Sequence, residues 1–99
     1  MENIKSHYLS RIEKNVVWSK LNESIIIVAL KEKEDKLFKL NTSAAYLWEL
    51  SDGTKTVGDL VKKLCEKFAI DEATALNDTV AFIENMESRQ LLAVSDTAA

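Results

Sequence analysis

The chain has 99 residues, which is enough for one domain and too few for a second hydrophobic core. Its composition, 46% apolar and 29% charged, is typical of a folded protein and excludes a disordered or collagen-like chain. The net charge of −3 is unevenly spread: residues 1–40 carry eight basic against six acidic side chains, and residues 41–99 carry five against ten. This balance disfavours a phosphate backbone as a partner.

The first half of the chain has the pattern of β-strands. Residues 15–21 are rich in β-branched and aromatic side chains, and residues 24–30 contain three successive isoleucines, which disfavour a helix. A third strand is predicted over residues 36–40, after a charged loop. Consecutive strands joined by short polar turns predict a three-stranded antiparallel meander.

The second half has helical spacing. Residues 41–43 supply N-cap candidates for a first helix that ends at Asp52-Gly53. A capping-box-like segment, residues 56–59, opens a second helix that runs to about residue 68. A third helix is predicted from Asp71 to about Arg89. Residues 91–94 are apolar and are expected to return to the core, and residues 95–99 are predicted to be a disordered tail.

The third predicted helix is apolar over about half of its circumference, wider than an ordinary surface helix. Two interpretations stay open. The helix packs between two core neighbours, or one stripe joins the core while the other lines an apolar groove. The candidate groove residues are Ala75, Thr79, Phe82 and Met86.

The second predicted strand is apolar on both faces, so something is expected to cover its far side. An N-terminal arm, residues 1–14, could do so as a short helix with a stripe of Ile4, Tyr8 and Ile12. Otherwise that face is a docking surface for a partner enzyme or for a second copy of the chain.

No catalytic or metal-binding constellation is visible in the sequence. His7, the only histidine, lies in the N-terminal arm and is expected to be a surface residue. Cys65, the only cysteine, shares the second helix with a core stripe and is expected to be a buried, small apolar residue. No apolar run approaches the roughly 20 residues of a membrane span, and the N-terminus lacks a secretory signal. The sequence therefore predicts a cytoplasmic, non-enzymatic protein without cofactor or metal.

The order of several short motifs resembles the PqqD-like family. The motifs are a strand ending in Leu40-Asn41, a helix with Leu47-Trp48-Glu49-Leu50, the Asp52-Gly53 turn, Thr56-Val57-Gly58-Asp59-Leu60, an acidic third helix and the pair Leu91-Leu92. The resemblance covers about residues 15–94. It departs from the family pattern at Gln90, where a glycine is usual.

The resemblance implies an α+β fold similar to a winged helix-turn-helix, with a three-stranded antiparallel meander followed by three helices. It also implies recognition of the leader segment of a ribosomally made precursor peptide, presented to a modifying enzyme such as a radical SAM enzyme, a protease or a cyclase. The leader would add as a strand to the third strand, beside the third helix. A homodimer is possible.

This mode fits the residues, because the last strand of a meander is an edge with unpaired backbone groups. The expected peptide-binding residues are the third strand (Lys36, Leu37, Phe38, Lys39 and Leu40) and the four candidate groove residues. Lys36 and Lys39 could pair with leader carboxylates, or could serve only to deter aggregation. The alternatives are DNA binding, which five acidic residues on the third helix disfavour, and an assembly or scaffold role.

Overall fold

The fold consists of two small antiparallel sheets and three helices, and the computed structural model describes residues 4–30 and 35–97. A 3₁₀ turn at Ile4–Ser6 precedes β1 (Tyr8–Arg11), and the elements that follow are β2 (Val16–Leu21), β3 (Ser24–Ala29), β4 (Lys36–Leu40), α1 (Thr42–Leu50), β5 (Asp52–Thr56), α2 (Val57–Phe68), α3 (Glu72–Ser88) and β6 (Leu92–Ser95). The predicted α+β class, with a meander followed by three helices, is confirmed.

The strands β2, β3 and β4 form the predicted meander, with β3 in the centre. The β2–β3 hairpin closes at the pair Leu21 and Ser24 over a two-residue turn. Asn22 takes the first turn position at φ 58°, and two-residue hairpin turns require a positive φ there. Alternate β3 residues (Ile25, Ile27 and Ala29) are buried, so one face of the meander lies on the core.

The second sheet, of order β5-β1-β6, was not predicted from the sequence. A helical arm with the stripe Ile4, Tyr8 and Ile12 does not form, because β1 is hydrogen-bonded on both sides, to β5 and to β6. Leu9 is the fully buried residue of β1. This sheet joins the N-terminal segment to Leu92–Ser95, so Ser95 lies in a strand; residues 98 and 99 of the predicted tail lie outside the described residues.

Each helix begins at a capping side chain, as predicted. The Asn41 side chain accepts a hydrogen bond from the Ala44 N–H at 3.0 Å, and the Asp71 side chain caps α3. A full capping box joins Thr56 and Asp59 at the start of α2. The hydrogen bond from the Thr56 backbone N–H holds the pKa of Asp59 below its ordinary value, so the ionised carboxylate stabilises the helix start.

Helix α3 ends in a Schellman motif centred on Gln90. The Leu91 N–H donates to the Met86 carbonyl at 2.9 Å, and the Gln90 N–H donates to the Glu87 carbonyl at 2.9 Å. Gln90 has a φ of 60°, the left-handed conformation that glycine adopts most easily. Gln90 therefore forms the same left-handed turn that a glycine would form at this position, although a side chain makes this conformation less favourable. Ala69 ends α2 in the same conformation, with φ 53°.

We predict that Gln90→Gly and Ala69→Gly each stabilise the domain. A non-glycine residue in the left-handed conformation costs roughly 1–2 kcal/mol. Glycine avoids this cost but loses more conformational entropy on folding, which costs about 0.5–1 kcal/mol. The expected increase in the free energy of unfolding is therefore up to about 1 kcal/mol. Urea unfolding measures the change, and Ala81→Gly in the middle of α3 is the matched control, expected to destabilise by about 1 kcal/mol. Destabilisation by both terminal substitutions would contradict the prediction.

Candidate functional site

The outer edge of β4 has no strand neighbour within the described residues, because β4 pairs only with β3. The direction of its backbone groups follows from the central strand. The Leu30 N–H donates to the Asn15 carbonyl on the β2 side at 2.8 Å. Backbone groups alternate in direction along a strand, so those of Ala29, Ile27 and Ile25 point to β4.

These three β3 residues lie directly opposite Lys36, Phe38 and Leu40. The backbone N–H and C=O groups of those β4 residues are therefore used within the meander. By the same alternation, the backbone groups of Leu37 and Lys39 point away from the sheet. The β4 edge thus offers two donors and two acceptors, spaced two residues apart.

The opposite edge of the meander is more protected. At β2, the backbone groups of Val16, Trp18 and Lys20 point outward by the same alternation. The Val16 N–H already donates to the Glu13 carbonyl at 3.2 Å, and the Trp18 indole donates to the Glu13 side chain. Lys20 forms an ion pair with Glu49 on α1 at 3.1 Å. Of the two edges, β4 is the more open to an added strand.

A groove of about 370 Å³ runs beside β4, between α1 and α3. Its floor is apolar and contains Leu40, Phe82 and Met86, all of which are at least 94% buried. The exposed side chains at its rim are Asn41, which caps α1, and Asp78, Ala81 and Asn85 on α3. Such a groove can bury one or two apolar side chains of a bound chain.

The four α3 residues predicted to line a groove fall into two groups. Phe82 and Met86 line the groove, whereas Ala75 and Thr79 are 0% exposed and do not line it. The Thr79 hydroxyl donates to the Ala75 carbonyl at 2.8 Å, which satisfies it inside the core. Both interpretations of the wide apolar face therefore hold in part, since α3 packs into the core and also forms the groove floor.

Three rim residues of α3, Asp78, Ala81 and Asn85, were not predicted from the sequence. They are spaced three and four residues apart, beside the Phe82–Met86 pair, so helical spacing places all five on one side of α3. None of the three is a large apolar residue, and only that spacing could have indicated them.

The side chains of β4 divide between the two faces of the meander. Phe38 and Leu40 lie on the core-facing side, in the same rows as Ile27 and Ile25. Leu37 and Lys39 lie on the outer face, where Leu37 is 67% exposed. Lys36 and Lys39 therefore lie on opposite faces, and both are exposed.

Arg89 contacts Phe38 of β4 but does not line the groove. Its guanidinium carbon lies 4.5 Å from the centroid of the Phe38 ring, a cation–π distance. Its Nε donates to Asn85 Oδ1 at 3.0 Å. The contact between Arg89 and Phe38 thus holds the C-terminal end of α3 beside the middle of β4.

The described residues contain no group of three or more His, Cys, Asp and Glu side chains arranged to hold a metal ion. In the same part of the chain, no helix combines the length and apolar character that crossing a bilayer requires.

The chain is similar in sequence and in fold to known proteins. The model of the PqqD family, described as coenzyme PQQ synthesis protein D, matches residues 27–92. A solved structure, TbiB1 in complex with the TbiA(beta) leader peptide, is similar over 84% of this chain and 93% of the other, with a TM-score of 0.72 and 19% identity. No curated protein matches significantly.

We predict that the amides of β4 exchange with solvent in an alternating pattern. The amides of Phe38 and Leu40 are bonded to β3 and should be protected, whereas those of Leu37 and Lys39 should exchange rapidly. Hydrogen exchange followed by ¹⁵N NMR measures this directly. Equal protection of all four amides would contradict the deduced direction of the edge groups.

Proposed function

This chain belongs to the PqqD family, and we propose that it binds the leader segment of a precursor peptide and presents that peptide to a modifying enzyme. The leader adds as a strand to the free edge of β4. The domain itself is non-catalytic and acts by binding. The observation that carries the proposal is the open β4 edge beside an apolar groove.

The edge supports strand addition because its unused groups are regularly spaced. Leu37 and Lys39 each direct one N–H and one C=O outward, so an extended peptide can form up to about four backbone hydrogen bonds there. At roughly 0.5–1.5 kcal/mol each, these bonds give modest affinity without sequence selectivity.

The groove supports selectivity. In an added strand every second side chain lies on the same face as Phe38 and Leu40, and so faces the groove. Burying one large apolar side chain over Phe82 and Met86 contributes roughly 1.5–3 kcal/mol. Ala75 and Thr79 are fully buried, so they contribute to the packing of α3 on the core and do not contact the peptide.

The lysines of β4 add a charge preference. Lys39 lies on the outer face beside the edge, and Lys36 lies on the groove face at the start of β4. An added strand with carboxylates on either face can pair with them, while the same charges deter pairing between two β4 edges. DNA as the partner is disfavoured by α3, where Glu84, Glu87 and Asp78 are exposed.

The protein can be tested first by calorimetric titration with the leader of a precursor peptide encoded beside its gene, and in parallel with duplex DNA. We expect saturable binding of the peptide with a Kd in the micromolar range or below, and none of the DNA. Saturable heat with DNA alone would refute the proposal.

We predict that Leu37→Pro weakens leader binding about tenfold. Proline removes the outward N–H and is tolerated where an edge N–H faces solvent, so the sheet should persist. Leu37→Ala is the matched control, because it shortens the same side chain and retains the donor. Equal loss of affinity in both variants, measured by calorimetry, would show that the side chain matters and the edge bond does not.

We predict that Ala81→Trp blocks the groove and weakens leader binding at least tenfold, with little change in stability. Ala81 is exposed at the groove rim, so an indole there can cover the floor without entering the core. Ala73→Trp, at an exposed position of α3 that does not line the groove, is the control and should bind as the unmodified chain does. Unchanged affinity of the Ala81→Trp variant would place the peptide elsewhere.

A further inference from the structure

Arg89 lies over Phe38 of the edge strand β4, with most of its hydrogen-bonding capacity unused. Its guanidinium covers the Phe38 ring, and only Nε has a recorded hydrogen-bond partner within residues 4–30 and 35–97. No ion pair recorded among those residues includes Arg89. The two Nη atoms therefore keep four N–H donors for a partner from outside the described chain.

The guanidinium is also held in place. The cation–π contact with Phe38 and the hydrogen bond from Nε to Asn85 Oδ1 hold it at two points. The backbone beneath it is set by the Schellman motif that follows Met86. Little side-chain entropy remains to be lost when these donors bind a ligand, which favours binding.

Phe38 is flanked on its inner side by fully buried Ile27, whereas Arg89 is exposed. The guanidinium thus covers the ring of a residue on the edge strand β4, whose outer side has no strand neighbour within the described residues. A strand added to β4 lies about 4.8 Å away, and its side chain opposite Phe38, on the same face of the sheet, starts about 5 Å from the Phe38 Cβ. A carboxylate side chain at that position is long enough to reach toward the Arg89 donors.

We propose, as a refinement that rests on the proposed function, that Arg89 binds a carboxylate of the guest peptide. The guest carries Asp or Glu at the groove-facing position opposite Phe38. Two residues away, opposite Leu40, it carries a large apolar side chain that lies over Phe82 and Met86. The planar fork of arginine matches a carboxylate with two parallel hydrogen bonds, which lysine cannot provide.

The test is a selection of phage-displayed random dodecapeptides on the purified 99-residue chain and on its Arg89→Gln, Arg89→Glu and Lys62→Glu variants. Peptides selected on the unmodified chain should carry Asp or Glu two positions from a large apolar residue. Those selected on Arg89→Glu should carry Lys or Arg at that position. Lys62 is an exposed cation on α2 outside the groove, and its variant should keep the original preference.

One selected peptide is then measured by fluorescence anisotropy. Replacing its acidic residue by the neutral amide should weaken binding to the unmodified chain about tenfold, and less than twofold in the Arg89→Gln variant. Arg89→Lys should retain the acidic preference at lower affinity, which provides a second readout if a charge-reversed variant does not fold.

The outcomes separate the two proposals. The role of Arg89 is overturned if the selected peptides carry the apolar residue without an acidic preference. It is also overturned if the Arg89→Glu variant selects the same acidic residue. Either result leaves leader binding intact. Failure to select any peptide, or selected peptides that leave the Leu37 and Lys39 amide resonances unmoved, overturns both.

Discussion

The one-sided hydrogen bonding of β4 is the constraint on which the site depends. β3 engages Lys36, Phe38 and Leu40, and the alternation of backbone groups then leaves Leu37 and Lys39 directed outward. The same alternation directs the Phe38 and Leu40 side chains toward the core and the groove. A one-residue change in the register of β3 against β4 would reverse both sets, so the core contacts of β3 and β4 that favour this register determine the site indirectly.

Helix α3 contributes residues both to the hydrophobic core and to the floor of the groove. Its buried residues Ala75, Thr79 and Ile83 pack inward, whereas Phe82 and Met86 contact the core and still form the groove floor. A small residue, Ala81, stands at the rim, so the helix can lie near β4 without filling the space between them. The long side chain of Arg89, the C-cap of α3, reaches the Phe38 ring.

The sequence predicted the elements whose signals are local. The meander follows from β-branched runs and polar turns, and the three helix starts follow from Asn41, Thr56 and Asp71. The sheet β5-β1-β6 was missed because its strands are short, distant in sequence and weakly patterned; Asp52–Thr56 contains no large apolar residue. When strands pair with partners that are distant in sequence, no single segment shows a periodic hydrophobic pattern that would reveal the sheet.

The groove beside α3 could be predicted from the sequence at the level of the helix, but not at the level of its individual lining residues. Periodicity placed a wide apolar face on α3, yet it could not divide Ala75 and Thr79, which are wholly buried, from Phe82 and Met86, which reach the groove. That division depends on the distance between α3 and β4, which is set by α1 and by the core. The position of Arg89 depends on a left-handed Gln90, a conformation that its residue type does not indicate.

An open strand edge can pair with another chain and cause aggregation. In this meander the two edges are protected in different ways. The β2 edge carries the Glu13 contacts and the Lys20–Glu49 ion pair, which together hinder a second strand. The β4 edge is only five residues long and bears Lys36 and Lys39, so two copies approaching edge to edge bring like charges together. A guest strand with carboxylates meets no such repulsion. The same two charges that oppose pairing between two β4 edges would thus attract the acidic, extended partner proposed above.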